Sequence, residues 1–408
     1  MKKINFCRNC KSKKIKKLFS LGKLNFSGKF PLKGQKIPRT TLTLVMCNDC
    51  KLVQLEEKFS LKYLYNEDYG YRTGINKTMK SHVKKVVNYL SNKIHLNKND
   101  NVLDIASNDG TLLKNYKKNI IKWGIDPIIY KKFVNDYKNI NYALSNFFNY
   151  NSIIKINSKV QFKIITALSV FYDLEDPNIF LNDVKKLLHK NGIFYLEFAD
   201  LKLILQNKMF DTICHEHLEY YSVNFIFQLL KKHNLRIFDH YYNSINGGSS
   251  SYLICHEDAK FQSNNKKISR VLKEEKKIGI EKVETYIKFK KDIDILGKNL
   301  NNIVSKILKK KKIIHGYAAS TKGNILLQYY NLNSKKIKFI SDRNSQKFGL
   351  ITPGTNIPII SEKKSRSLKP DYYLVLAWHF KKEILNRENK IRRKGTKFIF
   401  PLPKIEIL

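Results

Sequence analysis

Asn101-Val-Leu-Asp-Ile-Ala-Ser-Asn-Asp-Gly110, running on into Thr111-Leu-Leu, is the stretch that decides the fold. Residues 101–105 read as a short buried strand, residues 106–110 as a turn of small and acidic residues, and Thr111 as the start of a helix. Strand, tight turn and helix form the opening unit of a doubly wound sheet, in which ligands sit outside the carboxyl ends of the strands. The turn lacks G-x-G-x-x-G, so a nicotinamide dinucleotide is not the natural ligand. Further on, Ile121-Lys-Trp-Gly-Ile125 reads as the second strand and ends in Asp126, placed to accept both ribose hydroxyls of an adenosine cofactor. An amphipathic helix from about Asn76 to Ile94 precedes this unit.

The same rhythm continues. Phe162-Lys-Ile-Ile-Thr-Ala-Leu168 reads as a fourth strand, Pro177 to Leu188 as a helix and Gly192-Ile-Phe-Tyr-Leu-Glu197 as another strand. An acidic first turn followed by an acid that ends strand two resembles the class I methyltransferase fold, in which S-adenosylmethionine bridges those strand tips. On that resemblance Asp104, Ala106, Asn108, Asp109, Gly110 and Asp126 are the expected cofactor contacts, and Asn146 lies where the fold places its adenine contact.

Towards the N-terminus, Cys7-Arg-Asn-Cys10 and Cys47-Asn-Asp-Cys50 are two C-x-x-C knuckles separated by 36 residues. Four thiolates form a closed, tetrahedral set for structural Zn²⁺ and leave no open position for catalysis. The loop between them carries Phe26, Phe30, Pro31, Pro38, Leu42 and Leu44 and is expected to pack as a loop and strand.

The chain has 408 residues, enough for two or three domains with cores of their own. Lys and Arg outnumber Asp and Glu by 77 to 34, for a net charge of +43. The excess is mostly Lys, is spread along the chain and accompanies abundant Asn, Ile, Tyr and Phe, so it reads as compositional bias and argues against a nucleic-acid partner; a phosphorylated substrate still benefits from the field. No run approaches a membrane span, and the opening residues lack the apolar core of a signal peptide. A cytoplasmic protein with no membrane partner is expected.

The densest group of titratable side chains is Phe210-Asp-Thr-Ile-Cys-His-Glu-His-Leu-Glu-Tyr-Tyr-Ser222. His and Glu can be tuned to remove a proton α to a carbonyl, and His215-Glu-His217 lacks the H-E-x-x-H spacing of a zinc protease. Downstream, Ile313-Ile-His-Gly-Tyr-Ala-Ala-Ser-Thr-Lys-Gly-Asn324 repeats the strand, small turn and helix grammar after a charged helical connector of about Asn265 to Lys312. Its helix start, with Ser320, Thr321 and Lys322, forms an anion site for a diphosphate. Ile337-Lys-Phe-Ile-Ser-Asp342-Arg343 then reads as a second polar-tipped strand, and Tyr372 to His379 as another.

Taken in order, the paired knuckles, the turn from Asp104 to Gly110, His-Glu-His, Asn246-Gly-Gly-Ser249, Gly316 to Asn324, Asp342-Arg-Asn344 and Pro353-Gly-Thr-Asn-Ile-Pro358 resemble the sugar C-methyltransferases of deoxysugar biosynthesis over nearly the whole chain. That resemblance implies S-adenosylmethionine-dependent methylation of a carbon next to the C4 ketone of a dTDP-linked 4-keto-deoxysugar, with C3 as the first choice. It implies His217 as base, Glu216 as its orienting group and a linker tyrosine, Tyr69 or Tyr71, in the same pocket. It places Cys214, Asn246, Ser320, Thr321, Lys322, Asn324, Asp342 and Arg343 on the substrate. Where the family has Tyr-His-Glu-His, this chain has Cys214, which removes a phenol from the sugar site.

The expected architecture is α/β: a zinc-binding module over residues 1–68, a methyltransferase domain over 69–245 and a C-terminal Rossmann-like domain over 246–408, acting as a monomer. Two other readings stay open from sequence: an O- or N-methyltransferase of another phosphorylated metabolite, and a zinc-containing RNA methyltransferase.

Overall fold

The computed structural model describes residues 3–60, 64–65, 70–129 and 133–408. The described residues build three sheets. The strands are β1 (Ile15–Asn25), β2 (Arg39–Cys47), β3 (Val53–Leu55), β4 (Asn101–Ile105), β5 (Ile121–Ile125), β6 (Tyr142–Leu144), β7 (Phe162–Leu168), β8 (Leu188–Ala199) and β9 (Glu219–Tyr220). They continue with β10 (Leu235–Asn243), β11 (Ser249–His256), β12 (Ile314–Tyr317), β13 (Ile340–Asp342), β14 (Ile359–Ser361), β15 (Tyr372–Val375), β16 (Lys397–Phe400) and β17 (Glu406–Ile407).

The central sheet has the order β10-β11-β8-β7-β4-β5-β6. Strands β4 to β8 run parallel, and β11 is antiparallel to both β8 and β10. Apolar residues alternate between two faces: Leu103, Ile105, Ile165 and Phe194 join one core, Val102, Ile164 and Ile193 the other. Helix α1 (Lys77–Lys93) covers the second face with Val83, Val86, Val87 and Leu90, and burial of each contributes about 1.5–3 kcal/mol. Asn76 caps it by accepting from the Thr78 N–H at 2.9 Å, so the helix begins and ends within a residue of the sequence expectation. Helices α2 (Pro177–Leu187) and α3 (Val223–Lys232) cover the opposite face.

Two expectations are corrected here. The helix expected from Thr111 is a single turn, Leu113–Asn115, because the Asn115 side-chain amide donates to the carbonyls of Thr111 and Leu112 at 2.8 and 3.3 Å, competing with the helix's own amides. The boundary drawn between residues 245 and 246 falls inside the β10–β11 hairpin, and the central sheet keeps the chain to His256.

The C-terminal sheet, order β14-β13-β12-β15-β16-β17, is parallel except for β17. Helices α4 (Asn265–Ile278) and α5 (Val283–Lys309) lead to it, and α6 (Thr321–Tyr329) follows β12. At the other end of the chain, β1, β2 and β3 form an antiparallel sheet whose last strand is β9, contributed from beside His217. No helix among the described residues is long and apolar enough to cross a membrane.

Candidate functional site

Both parallel sheets reverse strand order at one point, between β4 and β7 and between β12 and β15, and such points open a crevice at the carboxyl edge. The two crevices face one shared cavity of about 650 Å³. Its wall includes Asp104, Ala106, Asn108, Asp126 and Ser169 from the central sheet and Ala318, Ser320, Ser341, Asp342 and Ala377 from the C-terminal one.

On the central side, Ala106 and Asn108 take φ of 56° and 51°, which turns the loop after β4 sharply enough to direct its amides at β5. Asp126 accepts from the Asn108 N–H at 3.0 Å and the Ile128 N–H at 3.1 Å. Burial raises its carboxyl to about 6 despite these donors. Asp104, bonded by the Thr166 hydroxyl at 2.6 Å, is raised to about 7 by burial and then by the Asp126 charge. Asn146 lines the cavity, although its side chain is engaged locally with Ser152 and the Phe147 amide. Asp109 and Gly110 do not line it. Asp109 accepts from Gly74 N–H at 2.8 Å and from Thr111, while a Cβ on Gly110 would lie 2.7 Å from Ile140 Cδ1, so both residues shape the loop.

His217 and Glu216 line the same cavity. The Thr212 carbonyl accepts from His217 Nδ1 at 2.7 Å, which leaves Nε2 with the lone pair. Burial, then the neighbouring Lys322 cation, lower the imidazole to about 3, so it is neutral at physiological pH. Tyr172 lies against its face at 4.1 Å. Glu216 is pushed up by burial and packs so closely on Gly28 that no Cβ fits there. His215, by contrast, packs against two rings of the N-terminal module, tilted on Phe26 at 4.5 Å and edge-on to Phe59 at 5.4 Å.

The structure separates the expected substrate residues. Asn246, Ser320, Thr321, Lys322, Asp342 and Arg343 line the cavity. Cys214 and Asn324 are fully buried away from it: Cys214 sits beside Glu216, and the Asn324 amide donates to the Ser27 carbonyl at 2.7 Å, tying α6 to the N-terminal module. Tyr71 lines the cavity, whereas Tyr69 lies outside the described residues. Sequence reasoning missed Asp173, which follows β7, lines the cavity, receives the Tyr65 hydroxyl at 2.6 Å and is raised well above the usual carboxylate range by burial and then by the Glu216 charge. It also missed Lys347, whose ammonium donates to the Ala319 carbonyl at 2.7 Å and lies 4.5 Å over the Phe30 ring. The local signal for Asp173 was an acidic run, Asp173 to Asp176, just past a strand tip.

Residues 70–78 cross between the crevices. Thr73 N–H donates to Asn108 Oδ1 at 3.0 Å, while Arg343 donates to the Ile75 carbonyl at 3.2 Å and Glu383 accepts from the Thr78 amide and hydroxyl at 3.0 and 2.5 Å.

Away from the cavity, the Sγ atoms of Cys7, Cys10, Cys47 and Cys50 all lie within 4.8 Å of one another, with Cys7–Cys50 and Cys10–Cys47 at 3.5 Å. Tetrahedral Zn–S bonds of about 2.3 Å require S···S edges of about 3.8 Å, so the four residues fit a structural zinc ion.

Comparison with known proteins divides the chain in the same order. Residues 7–65 match the model of a putative zinc binding domain, 75–240 that of a methyltransferase domain and 244–403 that of the C-methyltransferase C-terminal domain. The chain is 28% identical over 375 residues to the C-methyltransferase NovU of Streptomyces niveus, covering 90% of this chain and 87% of that protein. Among solved structures, an S-adenosylmethionine-dependent methyltransferase from Clostridium acetobutylicum superposes with a TM-score of 0.35 at 15% identity, over 43% of this chain and 92% of that one. The plantazolicin methyltransferase BamL superposes with a TM-score of 0.35 at 14% identity, over 45% of this chain and 87% of that one.

Proposed function

Because the chain belongs to the C-methyltransferases that join a zinc-binding domain, a class I methyltransferase domain and a C-methyltransferase C-terminal domain, we propose that it methylates a carbon α to the ketone of a nucleotide-linked 4-keto-deoxysugar, at C3. Its cofactor is S-adenosylmethionine, and its four clustered cysteines hold structural zinc. The observation that carries the finer reading is the single cavity shared by two sheet crevices, one acidic and one flanked by cations, with His217 in its wall.

S-adenosylmethionine supplies an electrophilic methyl group when bound. Asp126 offers carboxylate acceptors to its ribose hydroxyls, while Asp104, Ala106, Asn108 and Asn146 enclose it. Lys347 and Arg343 attract the diphosphate of the substrate, and Asp342 stands ready for its sugar hydroxyls. The hexose then reaches Nε2 of His217. A carbon becomes nucleophilic only after its acidified C–H is removed, so neutral His217 takes that proton; the Thr212 carbonyl, rather than Glu216 as the resemblance implied, orients its ring, and Glu216 lines the cavity beside it. Residues 70–78, tied to both crevices, keep water from the developing enolate.

The test is mass spectrometry of the protein incubated with S-adenosylmethionine and dTDP-, CDP- and GDP-4-keto-6-deoxysugars in H₂O and D₂O. The expected result is a gain of one methyl on carbon, preceded by deuterium uptake at that carbon, with uptake reduced roughly 10²–10⁴-fold in His217→Ala. Methylation on oxygen or nitrogen, or none despite cofactor binding, rejects this substrate reading.

A further inference from the structure

Lys322 lines the cavity in surroundings that disagree with its expected task. The strand, turn and helix pattern assigns it to a diphosphate, yet its ammonium is drawn to the chemical end of the cavity. Nζ donates to the Asn246 carbonyl at 2.9 Å, and Asn246 is fixed by its own bond to Ser169 Oγ at 3.0 Å, beyond the end of β7. The groups that feel the Lys322 charge are His217, His379, Asp211 and Cys214. The cations that flank Asp342 are Lys347 and Arg343 instead.

The local packing explains this placement. Ser320 caps α6 by accepting from Gly323 N–H at 3.0 Å, which points the first turn, and Lys322 with it, toward the cavity. Asn324 clamps the same turn to Ser27, next to Gly28, on which Glu216 packs. The C-terminal domain therefore delivers a cation to the base.

We propose that Lys322 is a catalytic residue whose ammonium stabilises the enolate oxygen formed when His217 removes the α-proton. This assignment rests on the ketosugar reading of the site. In the step, the C–H bond breaks, its proton passes to His217 Nε2 and its electron pair moves into the enolate. The oxygen then bears the negative charge. When that carbon takes the methyl group, the S–CH₃ bond of the donor breaks with its electron pair kept by sulfur, S-adenosylhomocysteine leaves, the ketone re-forms and the proton on His217 returns to water. A cation beside a neutral imidazole opposes its protonation until an anion lies with them; the enolate supplies that anion at the moment it is needed. Asp211 is too far from Nζ to form an ion pair and is held instead by Trp378 Nε1 at 2.8 Å, so the ammonium keeps donors for the substrate.

The experiment uses the full chain, dTDP-4-keto-6-deoxyglucose as probe, and solvent deuterium exchange in the presence of S-adenosylhomocysteine. Lys322→Met is expected to slow exchange roughly 10²–10³-fold, the usual effect of removing one preorganised oxyanion partner. Lys322→Arg, which keeps the charge, is expected to recover part of the rate. In Lys322→Met the acid limb of the exchange profile moves to higher pH, because the cation that disfavours imidazolium is gone. Binding of dTDP by calorimetry stays within a few-fold of wild type. Wild-type exchange rates in Lys322→Met, or a loss confined to dTDP affinity with the exchange rate unchanged, overturn the assignment. Absence of exchange in the wild type instead overturns the ketosugar reading, so the two failures are distinct.

Discussion

The two crevices that share the cavity are built on one plan and charged in opposite ways. After β4, Ser107 N–H donates to the Ile125 carbonyl and Asn108 N–H to Asp126 Oδ2; after β12, Ala318 N–H donates to the Ser341 carbonyl and Ala319 N–H to Asp342 Oδ2. In each case the amide two residues past the acid closes on Oδ1, Ile128 at 3.1 Å and Asn344 at 2.7 Å. Ala106 and Ala318 both carry positive φ, at 56° and 70°. The hydrogen bonds correspond one for one, although the positive φ of Ala106 precedes the first donor and that of Ala318 falls on it, so the clearest difference lies in what surrounds the two acids. Asp126 has Asp104 and Asp109 as electrostatic neighbours, whereas Asp342 has Lys347 and Arg343 close by. Acids suit a ligand that carries a sulfonium cation and an uncharged ribose, and cations suit one that carries phosphates. On the proposed reading, one backbone device serves two ligands and the flanking charges choose between them.

The largest effect that can break this pairing is on the cofactor. Asp126→Ala removes a charged acceptor from two hydroxyls, each such bond contributing about 1.5–3 kcal/mol, and is expected to weaken S-adenosylmethionine binding by about 100-fold or more in calorimetry. Binding of dTDP should be unchanged; a loss there would show that the crevices do not divide the ligands. The reciprocal experiment, Asp342→Ala or Lys347→Met, is expected to weaken dTDP binding by about tenfold, a charged hydrogen bond apiece, with S-adenosylmethionine affinity preserved.

An effect of similar size is expected in pH. Asp104 and Asp126 are raised to about 7 and about 6 by burial, above unfolded values near 3.9. A bound cation favours their ionised forms, so cofactor affinity is expected to fall roughly tenfold from pH 8 to pH 5.5. Stability of the free protein runs the other way. Raised folded values mean that stability from these groups is present at low pH and lost as pH rises through about 6 to 7. Relative to Asp104→Asn, the wild type should therefore melt lower at pH 8 than at pH 5.5 in a thermal-shift scan. Parallel trends in affinity and stability would contradict the acidic reading of the central crevice.

Legibility from sequence followed the range of the signals. Asp104 and Asp126 stood out because a strand, a small-residue turn and an acid at a strand tip are local patterns. Asp173 carried the weaker signal of an acidic run past a strand tip, and its place in the cavity depends on β7 lying beside β4, a long-range pairing that no local window contains. Lys322 and Asn324 sit two residues apart on one helical turn, and about 100° of rotation per residue sends one to the cavity and the other to Ser27. Cys214 was placed on the substrate by analogy with a phenol, but its thiol is fully buried beside Glu216 and does not line the cavity. The helix expected at Thr111 failed through a side-chain competition at Asn115 that apolar periodicity does not register.

The pairing of β3 with β9 reaches beyond the site. Val53 faces Tyr220 and Gln54 faces Glu219, so the edge strand of the metal-bearing sheet is lent by the segment that follows His217. The three parts are consequently not separable cassettes. Cut away the first seventy residues, and the remainder is left with an orphaned strand and a buried glutamate stripped of cover; graft a foreign module in their place, and it must present the same two-residue register or the loop bearing His217 loses its anchor. Any exchange of parts between such proteins is constrained to cross at a seam that carries β9 along with the cysteines.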